Sequence, residues 1–174
     1  MTGSRLETAS SLPACSDACL QGAAIGDQLQ WQGWFDGAAL PNPGKIGLGV
    51  VLISPAGIHS GRSVLIGESG CNNEAELHAL CLALEIASEA GARRLQLHGD
   101  SNVAVRYVRG PESTQIARLV VLVAQARMRI QGFEEVLLVW VPRHRNVEAD
   151  RLSRQALGLP ARPIRAAKGR HRSR

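Results

Sequence analysis

The sequence predicts a single α/β domain built around a mixed β-sheet. Its 174 residues are enough for one domain with a substantial hydrophobic core. The first three apolar segments are joined by short turns, which is typical of an antiparallel meander. Helical and strand patterns then alternate along the rest of the chain, so the predicted element order is βββαβααβα.

The meander is predicted from apolar runs that are separated by turn-forming residues. A Pro-Asn-Pro-Gly sequence at 41–44 separates the first two runs, and Pro-Ala-Gly at 55–57 separates the second from the third. Proline and glycine interrupt extended structure at such positions. The three predicted strands cover residues 30–39, 46–54 and 58–66.

The helix predicted at 73–90 has its apolar residues at the intervals that place side chains on one helical face. The residues of that face are Leu77, Leu80, Leu84 and Ala87. Alternating leucines then predict a fourth strand, and Gly110 with Pro111 separates two further helices. The remaining elements are a strand at 94–99, helices at 102–108 and 113–131, a strand at 134–141 and a helix at 146–157.

The composition is that of an ordinary globular protein, with 45% hydrophobic and 20% charged residues. No apolar run approaches the roughly 20 residues of a membrane-spanning helix, and the first residues lack the pattern of a signal peptide. The spacing of the cysteines suggests no disulfide framework; they are Cys15, Cys19, Cys71 and Cys81. We therefore expect a cytoplasmic monomer with free thiols and no membrane partner.

The catalytic domain is expected to occupy residues 29–160, between a flexible leader at 1–28 and a basic tail at 161–174. Cys15 and Cys19 could share a helix face in the leader, but a zinc site needs about four ligands and no second pair has suitable spacing. The tail holds six basic residues and no acid, and the rest of the chain has 14 basic and 15 acidic residues, a net charge of −1. The tail could be a solvated segment, a source of salt-sensitive phosphate contacts, or both.

Four acidic residues in recognisable local sequences are the main functional signal. Asp36 begins Asp-Gly-Ala-Ala-Leu-Pro-Asn-Pro-Gly, and Glu76 lies in Asn-Asn-Glu-Ala-Glu-Leu. Asp100 follows an apolar strand and precedes Ser101, and Asp150 ends Asn-Val-Glu-Ala-Asp. Four carboxylates that converge in a fold can hold two divalent cations beside a phosphodiester.

Each of these acids also has a purely structural interpretation when it is considered alone. Asp36 could initiate a turn before the following glycine, and Glu76 could form a capping box with Asn73. Asp100 could cap the next helix, and Asp150 could lie on a solvated helix face. Against the capping role, Glu76 shares one helix side with apolar residues four, seven and eleven positions later, which directs it toward the sheet.

The four motifs, in this order, resemble those of ribonuclease H type 1, a family that cuts the RNA strand of RNA/DNA hybrids. The resemblance extends over roughly residues 29–159. It implies a ribonuclease H-like fold with a five-stranded mixed central sheet flanked by helices. It also implies an endoribonuclease with two Mg²⁺ ions, for which Mn²⁺ could substitute; the implied ligands and catalytic acids are Asp36, Glu76, Asp100 and Asp150.

The resemblance also implies how an RNA/DNA hybrid would be contacted, and it leaves double-stranded RNA open as a second substrate. In this family the glutamate at the position of Glu76 also reaches the ribose 2′-hydroxyl, which distinguishes RNA from DNA. The other implied substrate contacts are the backbone of Gly37, the side chains of Asn72 and Asn73 in the minor groove, Asn102, and Asn42 near the DNA phosphate.

The segment before Asp150 is shorter than in better-known bacterial members, whose catalytic histidine lies ten residues before the last aspartate. That position here is Trp140. The compact, archaeal-type branch instead has an arginine seven residues before the aspartate, which corresponds to Arg143. His144 is the alternative, because histidine exchanges protons near neutral pH; both are candidate catalytic residues, and we favour Arg143.

Two other functions are compatible with the acidic motifs. A ribonuclease H-like module could bind nucleic acid without hydrolysis, but this would be favoured by loss of an acid, and none is lost. Another nuclease of the same superfamily would also use clustered acids, but it would lack Asn-Asn-x-x-Glu beside a short Asp-Gly strand. The six aromatic residues fall mostly in predicted strands, which leaves few to stack on single-stranded bases.

Overall fold

The computed structural model describes residues 30–111 and 114–163, and these form the α/β arrangement that the sequence predicts. The predicted leader, with Cys15 and Cys19, lies outside the described residues, as do residues 164–174 of the predicted tail. Among the described helices, none has the length and apolar character needed to cross a membrane.

The order of elements matches the predicted order, with one additional 3-10 turn before the last helix. The strands are β1 (Gln30–Leu40), β2 (Gly44–Ile53), β3 (His59–Gly70), β4 (Arg94–Gly99) and β5 (Glu135–Trp140). The helices are α1 (Asn72–Glu89), α2 (Asn102–Arg109), α3 (Ala117–Ile130) and α4 (Val147–Ala156), and the 3-10 turn is Arg143–Arg145.

The start of α3 and the end of β3 differ most from their predicted limits, by four residues each. The helix begins at Ala117, four residues later than predicted, because Ile116 has an extended backbone with φ −74° and ψ 106°. The hydroxyl of Thr114 accepts a hydrogen bond from the Ile116 amide at 3.2 Å. Such a local bond competes with helical hydrogen bonding and holds this segment outside the helix.

The sheet has five strands in the order β3-β2-β1-β4-β5, which confirms the predicted mixed sheet. β1, β2 and β3 are antiparallel neighbours, whereas β4 runs parallel to both β1 and β5. Phe35 of β1 pairs with Gly99 of β4. The next residues, Asp36 and Asp100, therefore lie side by side at the carboxyl end of the parallel pair, where α/β folds collect ligand sites.

The hydrophobic core lies between the sheet and helix α1 and extends between α1 and α3. Several of its large side chains are completely shielded from solvent. Burial of each such side chain stabilises the fold by about 1.5–3 kcal/mol. These fully buried residues are Phe35, Leu77, Leu80, Leu84, Leu95 and Leu97. This core fixes β1, β4 and α1 relative to one another, and each of these elements supplies or precedes one of the predicted acids.

Helix α4 packs directly against the backbone of β2, because β2 has glycine at the two points of contact. A Cβ atom at Gly49 would collide with the Ala149 carbonyl, and one at Gly47 would collide with the Ser153 carbonyl. Only glycine allows the two backbones to approach this closely. The close approach brings Asp150 and Ser153 to the part of the sheet that contains Asp36.

Candidate metal centre

Three of the four predicted acids converge at one point. Asp36, Glu76 and Asp100 each direct a carboxylate oxygen into a group in which the oxygens lie within 4.8 Å of one another. The side chain of Asp100 is 4% exposed, and residues Asp36 and Glu76 are 3% and 7% exposed. Three carboxylates so close together, and so poorly solvated, repel one another unless protons or cations compensate their charge.

Asp36 lies inside β1 and not at a turn, so its position rules out the turn-initiating role. The Ser153 hydroxyl donates a hydrogen bond to Asp36 Oδ2. Burial, together with smaller contributions from the charges of Asp100 and Asp150, raises the pKa of Asp36 to about 7, although the Ser153 hydrogen bond opposes the shift. Near neutral pH this carboxyl group therefore carries a proton much more readily than an ordinary aspartate.

Glu76 is not the capping residue of α1. The helix begins at Asn72, and Glu74 performs the capping by accepting a hydrogen bond from the Cys71 amide at 2.7 Å. Glu76 Oε2 is buried and has no hydrogen-bond partner. Burial raises the pKa of Glu76 well above its usual value, and the charge of Asp36 adds to the increase. An unpartnered buried carboxylate oxygen is costly, and a bound cation would compensate it.

Asp100 is held by donors from the segment that precedes α4. Arg143 Nε donates to Asp100 Oδ2 at 2.8 Å, and Asn146 Nδ2 donates to Oδ1 at 2.9 Å. Burial alone would raise the pKa of Asp100, but these two hydrogen bonds bring the pKa below its usual value. Ser101 caps α2 by accepting from the Ala104 amide, so the Asp100 carboxylate remains directed into the site.

Asp150 is buried at 6% exposure within α4, so it does not lie on a solvated helix face. It is not a member of the three-carboxylate group, but its charge contributes to the raised pKa of Asp36. Its Oδ1 atom lies 3.4 Å from Nη1 of Arg162. The fourth predicted acid therefore lies beside the cluster and is paired with a cation from the chain itself.

The predicted substrate residues fall into two groups. Gly37, Asn42 and Asn72 lie where β1 meets the start of α1: the Asn72 side chain accepts from the Ala39 amide at 2.9 Å, and Asn42 accepts from the Asn72 amide at 3.1 Å. A Cβ atom at Gly37 would collide with the backbone of α1. Glycine is thus required for the approach that brings Glu76 to Asp36.

Asn73 and Asn102 form the second group, and both are exposed near the first residues of their helices. Asn102 follows Asp100 by two residues, which places it near the acidic cluster in the chain. Of the two candidate catalytic residues, Arg143 contacts Asp100, whereas His144 is exposed in the same 3-10 turn.

Asn146 and Ser153 support the cluster but were not identified as functional from the sequence. Asn146 is 1% exposed and donates both to Asp100 and to the Phe35 carbonyl, at 2.9 Å each. Ser153 follows Asp150 by three residues, a spacing that places both on one helix face. Two features of the sequence could have identified these residues: the spacing of Ser153 from Asp150, and the position of Asn146 in the motif that ends at Asp150.

The residues of the cluster fit a divalent metal. All the available donors are carboxylate oxygens, which suit hard cations such as Mg²⁺ and Mn²⁺. Glu76 contributes a buried oxygen without a partner, and burial raises the pKa of both Asp36 and Glu76. A bound cation would neutralise the negative charge of these carboxylates and give the unpartnered Glu76 oxygen a ligand.

A five-stranded sheet of this order, with acids at the carboxyl end of its parallel pair, defines a ribonuclease H-like protein. A family model described as reverse transcriptase-like matches residues 34–156. Ribonuclease HI of Halobacterium salinarum is 37% identical over 125 residues, which cover 71% of this chain. The crystal structure of the RNase H1 from that archaeon superposes with a TM-score of 0.71, at 35% identity, over 74% of this chain and 98% of that one. The chain belongs to the ribonuclease H type 1 family.

Two further proteins extend these comparisons. LC11-RNase H1, isolated from compost and crystallised with an RNA/DNA hybrid, matches with a TM-score of 0.67 and 28% identity over 74% of this chain and 96% of that one. The bifunctional protein Rv2228c of Mycobacterium tuberculosis is 31% identical over 137 residues, which cover 75% of this chain. The alignments span 62% of the Halobacterium protein and 36% of Rv2228c.

Proposed function

We propose that the protein is an endoribonuclease that hydrolyses the RNA strand of RNA/DNA hybrids with the help of two divalent ions. The observation that carries this proposal is the convergence of the carboxylates of Asp36, Glu76 and Asp100, of which Glu76 has a buried oxygen without a partner. The relative from Halobacterium is named ribonuclease HI, and LC11-RNase H1 was crystallised with an RNA/DNA hybrid. Both support a hybrid as the substrate.

In this proposal Asp36, Glu76, Asp100 and Asp150 hold the ions. Bound divalent ions would lower the pKa of a water molecule and stabilise charge on the phosphate and on the leaving oxygen. Mg²⁺ is the proposed ion, and Mn²⁺ is a suitable substitute because both prefer oxygen ligands. We place this activity in the cytoplasm, in a monomeric protein.

The protein's own side chains prepare the site for this chemistry. Asn146 fixes Asp100 against β1 by donating to Asp100 and to the Phe35 carbonyl. Arg143 keeps Asp100 ionised, since its hydrogen bond lowers the pKa of that carboxyl. A guanidinium remains charged at any working pH, so the exposed part of Arg143 can also attract a phosphate group.

The proposed substrate contacts lie around this cluster. Gly37, Asn42 and Asn72 gather where β1 meets α1, close to Glu76. Asn73 and Asn102 are exposed and free to meet a nucleic-acid groove. We propose that Glu76 also engages the ribose 2′-hydroxyl, which would restrict cleavage to the RNA strand.

A comparison of labelled duplexes tests this proposal. The full chain would be incubated with RNA/DNA, RNA/RNA and DNA/DNA duplexes of one sequence, with Mg²⁺, with Mn²⁺, or with a chelator. We expect cleavage of the RNA strand in the hybrid, dependent on the metal, and no cleavage of the DNA duplex. Binding of the hybrid without cleavage would contradict hydrolysis, and preferential cleavage of single strands would indicate another nuclease of the superfamily.

Arg143→Ala is expected to lower turnover at neutral pH by about tenfold or more, because a hydrogen bond to a charged group contributes about 1.5–3 kcal/mol. His144→Ala should have a smaller effect, since Arg143 is the residue that contacts Asp100. Turnover at saturating hybrid would be measured, with Arg145→Ala as the control from the same 3-10 turn. A greater loss in His144→Ala, with a flattened pH profile near pH 6–7, would show that histidine has the catalytic role.

Deletion of residues 164–174 is expected to weaken hybrid binding without reducing the maximal rate. The segment contains five basic residues and no acid. If it makes Z phosphate contacts, the slope of log affinity against log salt should become shallower by about 0.9Z, the value for duplex DNA. Affinity would be measured at several salt concentrations. An unchanged slope in the shortened chain would show that residues 164–174 make no phosphate contacts.

A further inference from the structure

The segment after α4, residues 157–163, turns back along the helix that it follows. Gly158 ends α4 with a positive φ of 70°, a conformation that glycine adopts without strain. The Leu159 amide donates to the Arg154 carbonyl at 2.9 Å, and the Arg154 side chain donates to the Pro160 carbonyl at 3.0 Å. These bonds fasten the reversed segment to the last turn of α4.

This reversal brings Arg162 to the opposite end of the helix. Asp150 lies in the first turn of α4, so a residue twelve positions later can reach it only if the chain doubles back. Arg162 Nη1 lies 3.4 Å from Asp150 Oδ1, and the two side chains are 43% and 9% exposed. A largely buried carboxylate thus faces a cation that is still accessible to solvent.

We propose that Arg162 is an internal counter-cation that competes with a divalent ion for Asp150. This inference rests on the proposed metal-dependent function. A guanidinium and a divalent cation repel each other, so both cannot use the same carboxylate oxygen at full strength. Ion binding at Asp150 therefore requires that the Arg162 contact is released.

The contact is suited to such an exchange. At 3.4 Å, with almost half of the arginine side chain in water, the contact is long and partly screened by solvent, so the Arg162 side chain can leave it at a modest cost in free energy. Asp100, by contrast, is held by shorter bonds from Arg143 and Asn146. Arg162 thus keeps Asp150 compensated in the metal-free protein, and it reduces the affinity for the ion that uses Asp150.

Calorimetric titration of the full chain with Mn²⁺ tests the competition without any need for cleavage. Arg162→Gln should lower the dissociation constant of the Asp150-dependent ion about fivefold, which corresponds to about 1 kcal/mol. Arg162→Lys should remain close to the unmodified protein, since it retains a cation. Arg93→Gln is the control, because it removes the same charge just before β4, at the end of that strand opposite to Asp100. It should leave the dissociation constant for Mn²⁺ unchanged.

The same titration in an Asp150→Asn background isolates the contact. The effect of Arg162→Gln should disappear there, because the carboxylate for which the cations compete is gone. Equal dissociation constants for Arg162→Gln and the unmodified protein would overturn the inference, and so would weaker binding or an effect that persists in Asp150→Asn. If the predicted shift occurs but no hybrid is cut, the counter-cation role stands and the proposed hydrolysis fails.

Discussion

Asp100→Asn is expected to abolish hydrolysis of an RNA/DNA hybrid while leaving the fold intact. The amide oxygen can still accept the hydrogen bond that Asn146 now donates to Asp100 Oδ1, so local packing should be preserved. The variant removes a negative charge from the carboxylate group and from the Arg143 ion pair. Electrostatic groups of this kind each contribute about 10²–10³ in rate, and we expect a loss of at least that size.

Turnover of labelled hybrid in Mg²⁺ and Mn²⁺ binding by calorimetry would be measured on the same preparation. Thermal unfolding of the metal-free variant should remain cooperative but occur at a somewhat lower temperature than in the unmodified protein, because the ion pair with Arg143, which lowers the pKa of Asp100, is lost. The removal of repulsion with Asp36 offsets part of this loss. Glu134→Gln, an exposed change just before β5, is the matched control. Turnover close to that of the unmodified protein in Asp100→Asn would exclude the proposed metal site.

The order of the elements could be predicted from the sequence because each depends on local patterns. The alternating residues of β4 and the apolar face of α1 predict their positions without knowledge of the fold. The first residue of α1 could not be predicted, and the helix begins one residue earlier than expected. Both Glu74 and Glu76 have a capping partner three residues before them. The apolar residues on the same helix side predicted that Glu76 is buried, but only the packing of α1 shows that Glu74 is the capping residue.

The contacts that support the acids could not be predicted, because they join residues that are distant in the chain or separated by a reversal. Asn146 bonds to the Phe35 carbonyl across 111 residues and to the Asp100 carboxylate across 46. The contact of Arg162 with Asp150 depends on the reversal at Gly158. In the sequence, Arg162 differs in no way from the other arginines near the end of the chain.

The metal-free protein should lose stability as the pH rises from about 4 to 7, while its affinity for divalent ions should increase over the same range. Burial raises the pKa of Asp36 from 3.8 to about 7, so in this window the folded state holds a proton that the unfolded chain releases. Stability therefore falls with increasing pH, by at most about 4 kcal/mol from Asp36. Ion binding requires the deprotonated carboxylate, and it becomes easier as that proton is lost.

Asp36→Asn separates this effect from all other titrations, because its amide is neutral at every pH and can still accept the Ser153 hydrogen bond. Denaturant unfolding with a chelator at pH 4 to 8 should show similar stability for the two proteins at pH 4. As the pH rises to 8, the free energy of unfolding of Asp36→Asn should exceed that of the unmodified protein by an amount that approaches about 4 kcal/mol. Excess Mg²⁺ should stabilise the unmodified protein increasingly above pH 6, since an ion bound only by the folded state shifts the equilibrium toward folding. Parallel pH profiles for the two proteins would show that Asp36 is ionised throughout, and that the carboxylate cluster needs no cation to compensate it.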